Sequence, residues 1–174
     1  MDRQYQFRKI QKEEIPQMFR LIQERMKWMD EKGIRQWNAT DYDKAYPLSY
    51  YEDRRRRGEV FILQEASGGQ MVCAAVLSGE DARWPDGAPA LYVHNFVSKI
   101  GEPGAGRIFM GQAEAYGLRL GKKYLRLDSA KDNPALSRYY ESLGFQAAGT
   151  CREGLYEGIL RQKRLRDPGL PFGN

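Results

Sequence analysis

Residues Tyr92–Asp128 read YVHNFVSKIGEPGAGRIFMGQAEAYGLRLGKKYLRLD, and a change of period inside this stretch decides the fold. An extended apolar run, Ala90 to Val97, gives way to the glycine-rich segment Gly101 to Gly106. Ile108, Phe109, Ala113, Tyr116 and Leu120 then recur at helical spacing as far as Gly121, and Tyr124 to Leu127 is again extended. The unit is strand, turn, helix, strand. GEPGAG fits the glycine frame of a nucleotide P-loop, but the next residues are Arg107 and Ile108, where that loop needs Lys and then Ser or Thr. A dinucleotide-binding fingerprint would need a third glycine where Phe109 stands. What remains is a tight turn at the head of a helix, whose backbone N–H groups and dipole suit some anion.

Working outward, Tyr5 to Ile10 alternates as a strand, and Glu13 to about Met29 places Ile15, Met18, Phe19, Ile22 and Met26 on one helical face. A second helix runs from Leu48 to Arg57 after Pro47 and stops at Gly58. Val60 to Leu63 and Met71 to Leu77, separated by Ser67-Gly68-Gly69, read as a hairpin. Beyond the central unit, Asn133 as N-cap and Pro134 at the first helical position open a helix that Gly144 closes, and Phe145 to Ala148 and Tyr156 to Arg161 are two final strands. The order is β-α-α-β-β-β-α-β-α-β-β: an α/β (α+β) fold with a mixed central sheet of about seven strands and about four helices.

With 174 residues, 29% of them charged and 41% hydrophobic, the chain is expected to form one globular domain over residues 1–166, with a fraying Pro/Gly-rich tail over 167–174. No apolar run approaches the ~18 residues of a membrane span and the polar start lacks a signal-peptide core, so the expectation is a cytoplasmic protein without a membrane partner. Cys73 and Cys151 lie far apart and His94 is the sole histidine, which argues against a disulfide framework and against a metal site. The net charge of +5 suits a polyanion or a phosphate-rich small ligand. The run Arg54 to Arg57 reads first as a helix end complementing the dipole and second as a nucleic-acid patch; the first reading is preferred, and nucleic acid is not expected as a partner.

The strand-turn-helix stretch, taken with NPALSRYYESLGF from Asn133 to Phe145, resembles the GCN5-related N-acetyltransferase (GNAT) superfamily, and the resemblance extends from the first strand to about Arg164. It implies acetyl-CoA as cosubstrate, with the pyrophosphate held by backbone N–H groups of Gly104, Ala105, Gly106, Arg107 and Ile108. The chain departs from the family signature at Gly101, where Arg or Gln is usual, and at Pro103, which carries no N–H. The resemblance further places a thioester-polarising backbone N–H near Phe96 or Val97, where the strand is expected to bulge, and gives Asn133 a contact to the pantetheine arm beside its capping role. Tyr140, four residues before Gly144, takes the part of general acid; a phenol with pKa near ~10 is protonated at neutral pH. Tyr140 also reads as a buried aromatic on an amphipathic helix, a place its neighbour Tyr139 fits equally well.

His94, on the strand with Tyr92 and Phe96, is the candidate general base because its ordinary pKa suits proton abstraction, with a Glu or a water chain as the alternative. Gly33-Ile34-Arg35-Gln36-Trp37 followed by Tyr46-Pro47 resembles a feature of a bacterial GNAT subgroup, in which Trp37 either lines the acceptor pocket or packs in the core. Asp41 and Asp43 either attract an ammonium or are plain loop residues. The expected function is direct acetyl transfer from acetyl-CoA to a primary amine of a small molecule by a monomer or homodimer, since neither motif holds a Cys nucleophile. Two alternatives stand beside it. One is transfer to a protein or aminoacyl-tRNA amine, supported only by the arginine run; the other is an acyl-CoA-binding regulatory domain without turnover, which the departures at Gly101 and Pro103 permit.

Overall fold

A computed structural model describes residues 4–166, so the tail at 167–174 that was expected to fray lies outside the described residues. The strands are β1 (Tyr5–Lys9), β2 (Val60–Glu65), β3 (Met71–Ser78), β4 (Ala90–Ser98), β5 (Tyr124–Ala130), β6 (Gln146–Glu153) and β7 (Tyr156–Arg164). The helices are α1 (Ile15–Glu31), α2 (Tyr42–Ala45), α3 (Leu48–Arg56), α4 (Ala105–Arg119) and α5 (Pro134–Ser142). The strands form one seven-stranded sheet in the order β1-β2-β3-β4-β5-β7-β6. Pairing of β4 with β5 is parallel, through Ala90–Tyr124, Leu91–Leu125 and Tyr92–Arg126, whereas β1–β2, β2–β3, β5–β7 and β6–β7 are antiparallel. A parallel pair needs a long crossover, and α4 supplies it. The sheet is mixed, as the element order implied. The helix not foreseen is α2, four residues long and therefore too short to carry a period.

The chain divides into two compact units, one built from residues up to Leu77 plus His94–Phe109, the other from Ser78–Val93 plus Met110 onward. In the first unit Met71–Leu77 of β3 is buried at every position, which is why it reads as an unbroken apolar run. One core cluster joins Met18 and Ile22 of α1 and Tyr51 of α3 to Val60, Ile62, Ala74 and Val76. Met18 and Ile22 are fully buried, and each such side chain contributes roughly 2 kcal/mol of transfer free energy. A second set is aromatic: Phe7 stacks on Phe61 with centroids 5.2 Å apart, and Phe109 closes on Phe7 at 5.5 Å and on Phe96 at 5.4 Å. The Arg8 guanidinium forks onto the Glu14 carboxylate at 2.8 and 2.7 Å, fixing the chain as it leaves β1 for α1.

In the second unit β5 pairs with β7 along its whole length, from Tyr124–Arg164 to Ala130–Gly158. Strand β6 ends the sheet, is exposed along almost all of its length, and slips register at Ala148. A Cβ on Gly117 would lie 2.8 Å from Leu165 Cδ1 and 3.7 Å from Leu91 Cδ2, so glycine lets α4 come close to β4. Arg126, 2% exposed, clasps the β3–β4 loop: it forks onto Asp86 at 2.8 and 2.7 Å, donates to Gln162 at 3.1 Å and lies 4.2 Å from the Trp84 ring centroid. Cys73 and Cys151 are free thiols. No helix among the described residues is long and apolar enough to cross a membrane.

Candidate active site

In the first unit, β4 runs toward the glycine turn and its backbone leaves extended geometry at Asn95, whose φ is +55°. The departure falls one residue before Phe96, where a bulge was expected. Asn is among the few L-residues that tolerate this conformation, and here its side chain is also engaged: Tyr50 Oη donates to Asn95 Oδ1 at 2.9 Å, and Asn95 Nδ2 donates to Tyr42 Oη at 2.6 Å. Val97 is buried, Phe96 and His94 half-buried. At the end of β4, Arg25 of α1 donates to the Ser98 carbonyl at 2.7 Å.

The turn that follows has a definite type. Ala105 N–H donates to the Glu102 carbonyl at 3.3 Å, Pro103 stands at the second position, and Gly104 at the third has φ +85°, the signature of a type II turn. Pro103 therefore does more than remove a donor: its ring presets the turn that delivers the chain into α4. Ile108 N–H donates to the Gly104 carbonyl at 3.2 Å, closing the first helical turn. Gly104 faces open space, with no atom within 4 Å of where a Cβ would sit, while Ala105 is wholly buried and Ile108 and Arg107 are exposed.

Trp37 is half-buried in a short helical turn and stacks face to face on Tyr42 at 4.5 Å, 9° from parallel. Tyr42 contacts Tyr46 at 4.8 Å, and Tyr46 contacts Tyr50 at 4.8 Å, which makes an aromatic ladder against the α1/α3 core. Burial raises the pKa values of the Tyr42 and Tyr50 phenols, so both hydroxyls stay protonated. Asp41 is exposed, with φ +48°, and starts α2; Asp43 is half-buried within it. The four arginines Arg54 to Arg57 pair with Glu59, Glu52, Glu52 and Asp53 at 2.8, 2.7, 3.4 and 3.2 Å.

In the second unit α5 carries both remaining candidates. Asn133 caps it, its Oδ1 accepting from Leu136 N–H at 3.0 Å. Tyr140 is 7% exposed and packs edge-on against Tyr139 at 5.3 Å and Phe145 at 5.8 Å; no hydrogen bond to its hydroxyl occurs among the described residues. Burial, then the neighbouring Tyr139 and Asp128, raises its phenol pKa well above the ordinary value. Beneath α5, the buried Arg161 guanidinium donates to Ser129 Oγ at 2.9 Å and Ser137 Oγ at 2.8 Å. Asp128 accepts from Tyr156 Oη at 2.6 Å and Arg83 at 2.7 Å. A cavity of about 540 Å³ lined by Glu114, Tyr124, Gly144 and Lys163 holds no residue expected in the site.

Trp37, His94, Phe96, Val97 and Gly104 to Ile108 thus fall in the first unit, Asn133 and Tyr140 in the second. Sequence reasoning passed over Asn95, Tyr42, Tyr50 and Arg161. Asn95 had a signal: Asn is depleted in strands and tolerant of left-handed backbone, so an Asn inside YVHNFVS marks where the strand can bend.

No protein-family model matches the chain, and no curated protein matches it significantly. Solved structures do. A GNAT-family acetyltransferase from Listeria monocytogenes is 23% identical with a TM-score of 0.75, over 92% of this chain and 95% of its own. The PaiA N-acetyltransferase of Thermoplasma acidophilum, solved in complex with coenzyme A, is 15% identical with a TM-score of 0.71, over 92% and 99%. The ribosomal-protein-S18-alanine N-acetyltransferase of Escherichia coli is 15% identical with a TM-score of 0.65, over 97% and 100%. With its seven-stranded mixed sheet and five helices in this order, the chain has the fold of the GNAT acetyltransferases.

Proposed function

We propose that this protein is an N-acetyltransferase that moves the acetyl group of acetyl-CoA directly to a primary amine of a small molecule. The observation that carries the reading is the type II turn at Glu102–Ala105 opening α4, in a chain of GNAT fold. Of the five N–H groups expected to hold a pyrophosphate, those of Ala105 and Ile108 close the turn and the first helical turn, while those of Gly104, Gly106 and Arg107 lie at the positive end of a 15-residue helix, and Gly104 presents no Cβ to an approaching anion. Acetyl-CoA supplies the acyl group as an activated thioester.

Three tasks fall to the chain. The backbone N–H of Phe96 or of Val97, just past the left-handed Asn95, stabilises charge developing on the thioester oxygen. His94, or water in its place, takes the proton of the attacking ammonium, and Tyr140 gives a proton to the departing thiolate. The raised pKa of Tyr140 keeps the phenol protonated at neutral pH. Because each of Arg54 to Arg57 is paired with a carboxylate, the feature that favoured a polyanionic acceptor loses its force, and the small amine remains the preferred acceptor.

The test combines binding and turnover. Acetyl-CoA at ~100 times its dissociation constant raises stability by ~2.7 kcal/mol, and an amine panel scored by thiol release identifies acceptors. Tyr140→Phe keeps that thermal shift and loses at least ~100-fold in kcat. A regulatory domain would show the shift and no thiol release with any amine; no shift at all would refute the coenzyme.

A further inference from the structure

Asn95 is the one residue of β4 with positive φ, at +55° and 8% exposed. Neither hydrogen bond of its side chain is made within the strand. Its Oδ1 accepts from Tyr50 of α3 and its Nδ2 donates to Tyr42 of α2, so the left-handed turn is gripped from outside by two helices. Tyr42 in turn stacks on Trp37, and Tyr50 joins Tyr46 and Tyr51 in the aromatic ladder. A buried amide with both ends hydrogen-bonded has one orientation available to it, since losing either bond strands a polar group. The backbone to which it is attached inherits that constraint, and the next two N–H groups in the chain belong to Phe96 and Val97.

Resting on the acetyl-transfer reading, we infer that Asn95 is a positioning residue: the Tyr42–Asn95–Tyr50 clamp aims the backbone N–H that follows it, of Phe96 or of Val97, at the thioester oxygen and couples that donor to the Trp37–Tyr42 wall. Preorganised donors act only when they point where charge develops, and a misplacement near 1 Å costs on the order of 100-fold in rate. An Asn without the clamp would leave β4 free to relax between left-handed and extended backbone at this residue. With it, a shift of the Trp37 wall reaches that donor through two hydrogen bonds.

Polarisation of a bound thioester can be read without knowing the acceptor. Acetyl-CoA carrying ¹³C at the carbonyl is bound to the full-length protein, and its C=O stretch is measured by isotope-edited infrared difference spectroscopy, with affinity measured by calorimetry. The wild type is expected to lower the stretch below its value in water. Asn95→Gly, which keeps the left-handed backbone accessible but removes the clamp, is expected to lose at least half of that lowering while its affinity changes by less than ~3-fold. Tyr42→Phe combined with Tyr50→Phe should do the same, and Asn95→Asp, which accepts from both phenols, should retain the wild-type band. An unshifted band in the wild type, or a full shift in both Asn95→Gly and the double Tyr variant, overturns the clamp. Failure of the wild type to bind acetyl-CoA overturns the coenzyme reading first and this inference with it.

Discussion

Replacing Gly104 by Ala separates what the turn does for the fold from what it does for a ligand. Gly104 has φ +85°, the third position of the type II turn, where an L-residue pays about 1–2 kcal/mol. Restricting the unfolded chain returns about 0.4–1 kcal/mol, so the net loss is about 1 kcal/mol, or about 2–4 °C in melting temperature for a chain of this size. No steric term adds to this in the free protein, because a Cβ there meets no atom within 4 Å. That open space is the approach an anion needs to reach the first N–H groups of α4, and a methyl in it holds a phosphate oxygen out of hydrogen-bonding range. Losing one charge-assisted bond, about 1.5–3 kcal/mol, weakens acetyl-CoA binding by at least ~10-fold. Gly101→Ala is the matched control, with φ +83° and equally open surroundings, but lying before the turn. Differential scanning fluorimetry should show similar melting losses in the two variants, and calorimetry a binding loss in Gly104→Ala alone. Wild-type affinity in Gly104→Ala would refute the argument that the ligand approaches across this glycine.

Asn133→Ala removes the cap of α5 and should cost about 1 kcal/mol in chemical denaturation, whereas Asn133→Asp keeps the cap, so that any fall in acetyl-CoA affinity it shows reports a contact of the amide with the coenzyme. The Arg126 fork, aided by the Ala88 N–H, depresses the Asp86 carboxyl to about 2. A depressed folded pKa means that its stabilisation is complete above the unfolded value of about 4 and drains away as pH falls toward 2. Asp86→Asn should therefore be less stable than the wild type at neutral pH and show a flatter loss of melting temperature between pH ~4 and ~2; parallel acid limbs would argue that the pair contributes nothing.

Elements built on a sustained period were legible from composition and spacing: α1 through Met18 and Ile22, β3 as an unbroken apolar run, and α4 and α5 through their flanking glycines and the Asn133-Pro134 start. The glycine turn was recognisable as a tight turn at the head of a helix, but its type was not, because a proline can be read as a missing donor until the Glu102–Ala105 hydrogen bond shows what its ring presets. The clamp on Asn95 escaped notice because its partners lie 45 and 53 residues away, and a hydrogen bond at that separation leaves no local pattern. The pairing of Arg54 to Arg57 was half legible: Glu52 and Asp53 precede the run at helical spacing, yet composition presents four arginines as one patch. The buried Arg161 reads in sequence as an ordinary strand-end cation; only the fold brings Ser129 and Ser137 to it.

Strand β6 closes the sheet with an outward row of backbone donors and acceptors, and its ladder with β7 jumps from Ala147–Arg161 to Gly149–Leu160. The jump divides the outer row as well as the inner one. A foreign strand laid along it finds correct spacing for only a few residues before Ala148 puts the remainder out of step, and two-stranded pairings that short do not persist in water. Arg152 and Glu153 add charge to the far end. The irregularity thus works against templated growth along the open edge of the sheet.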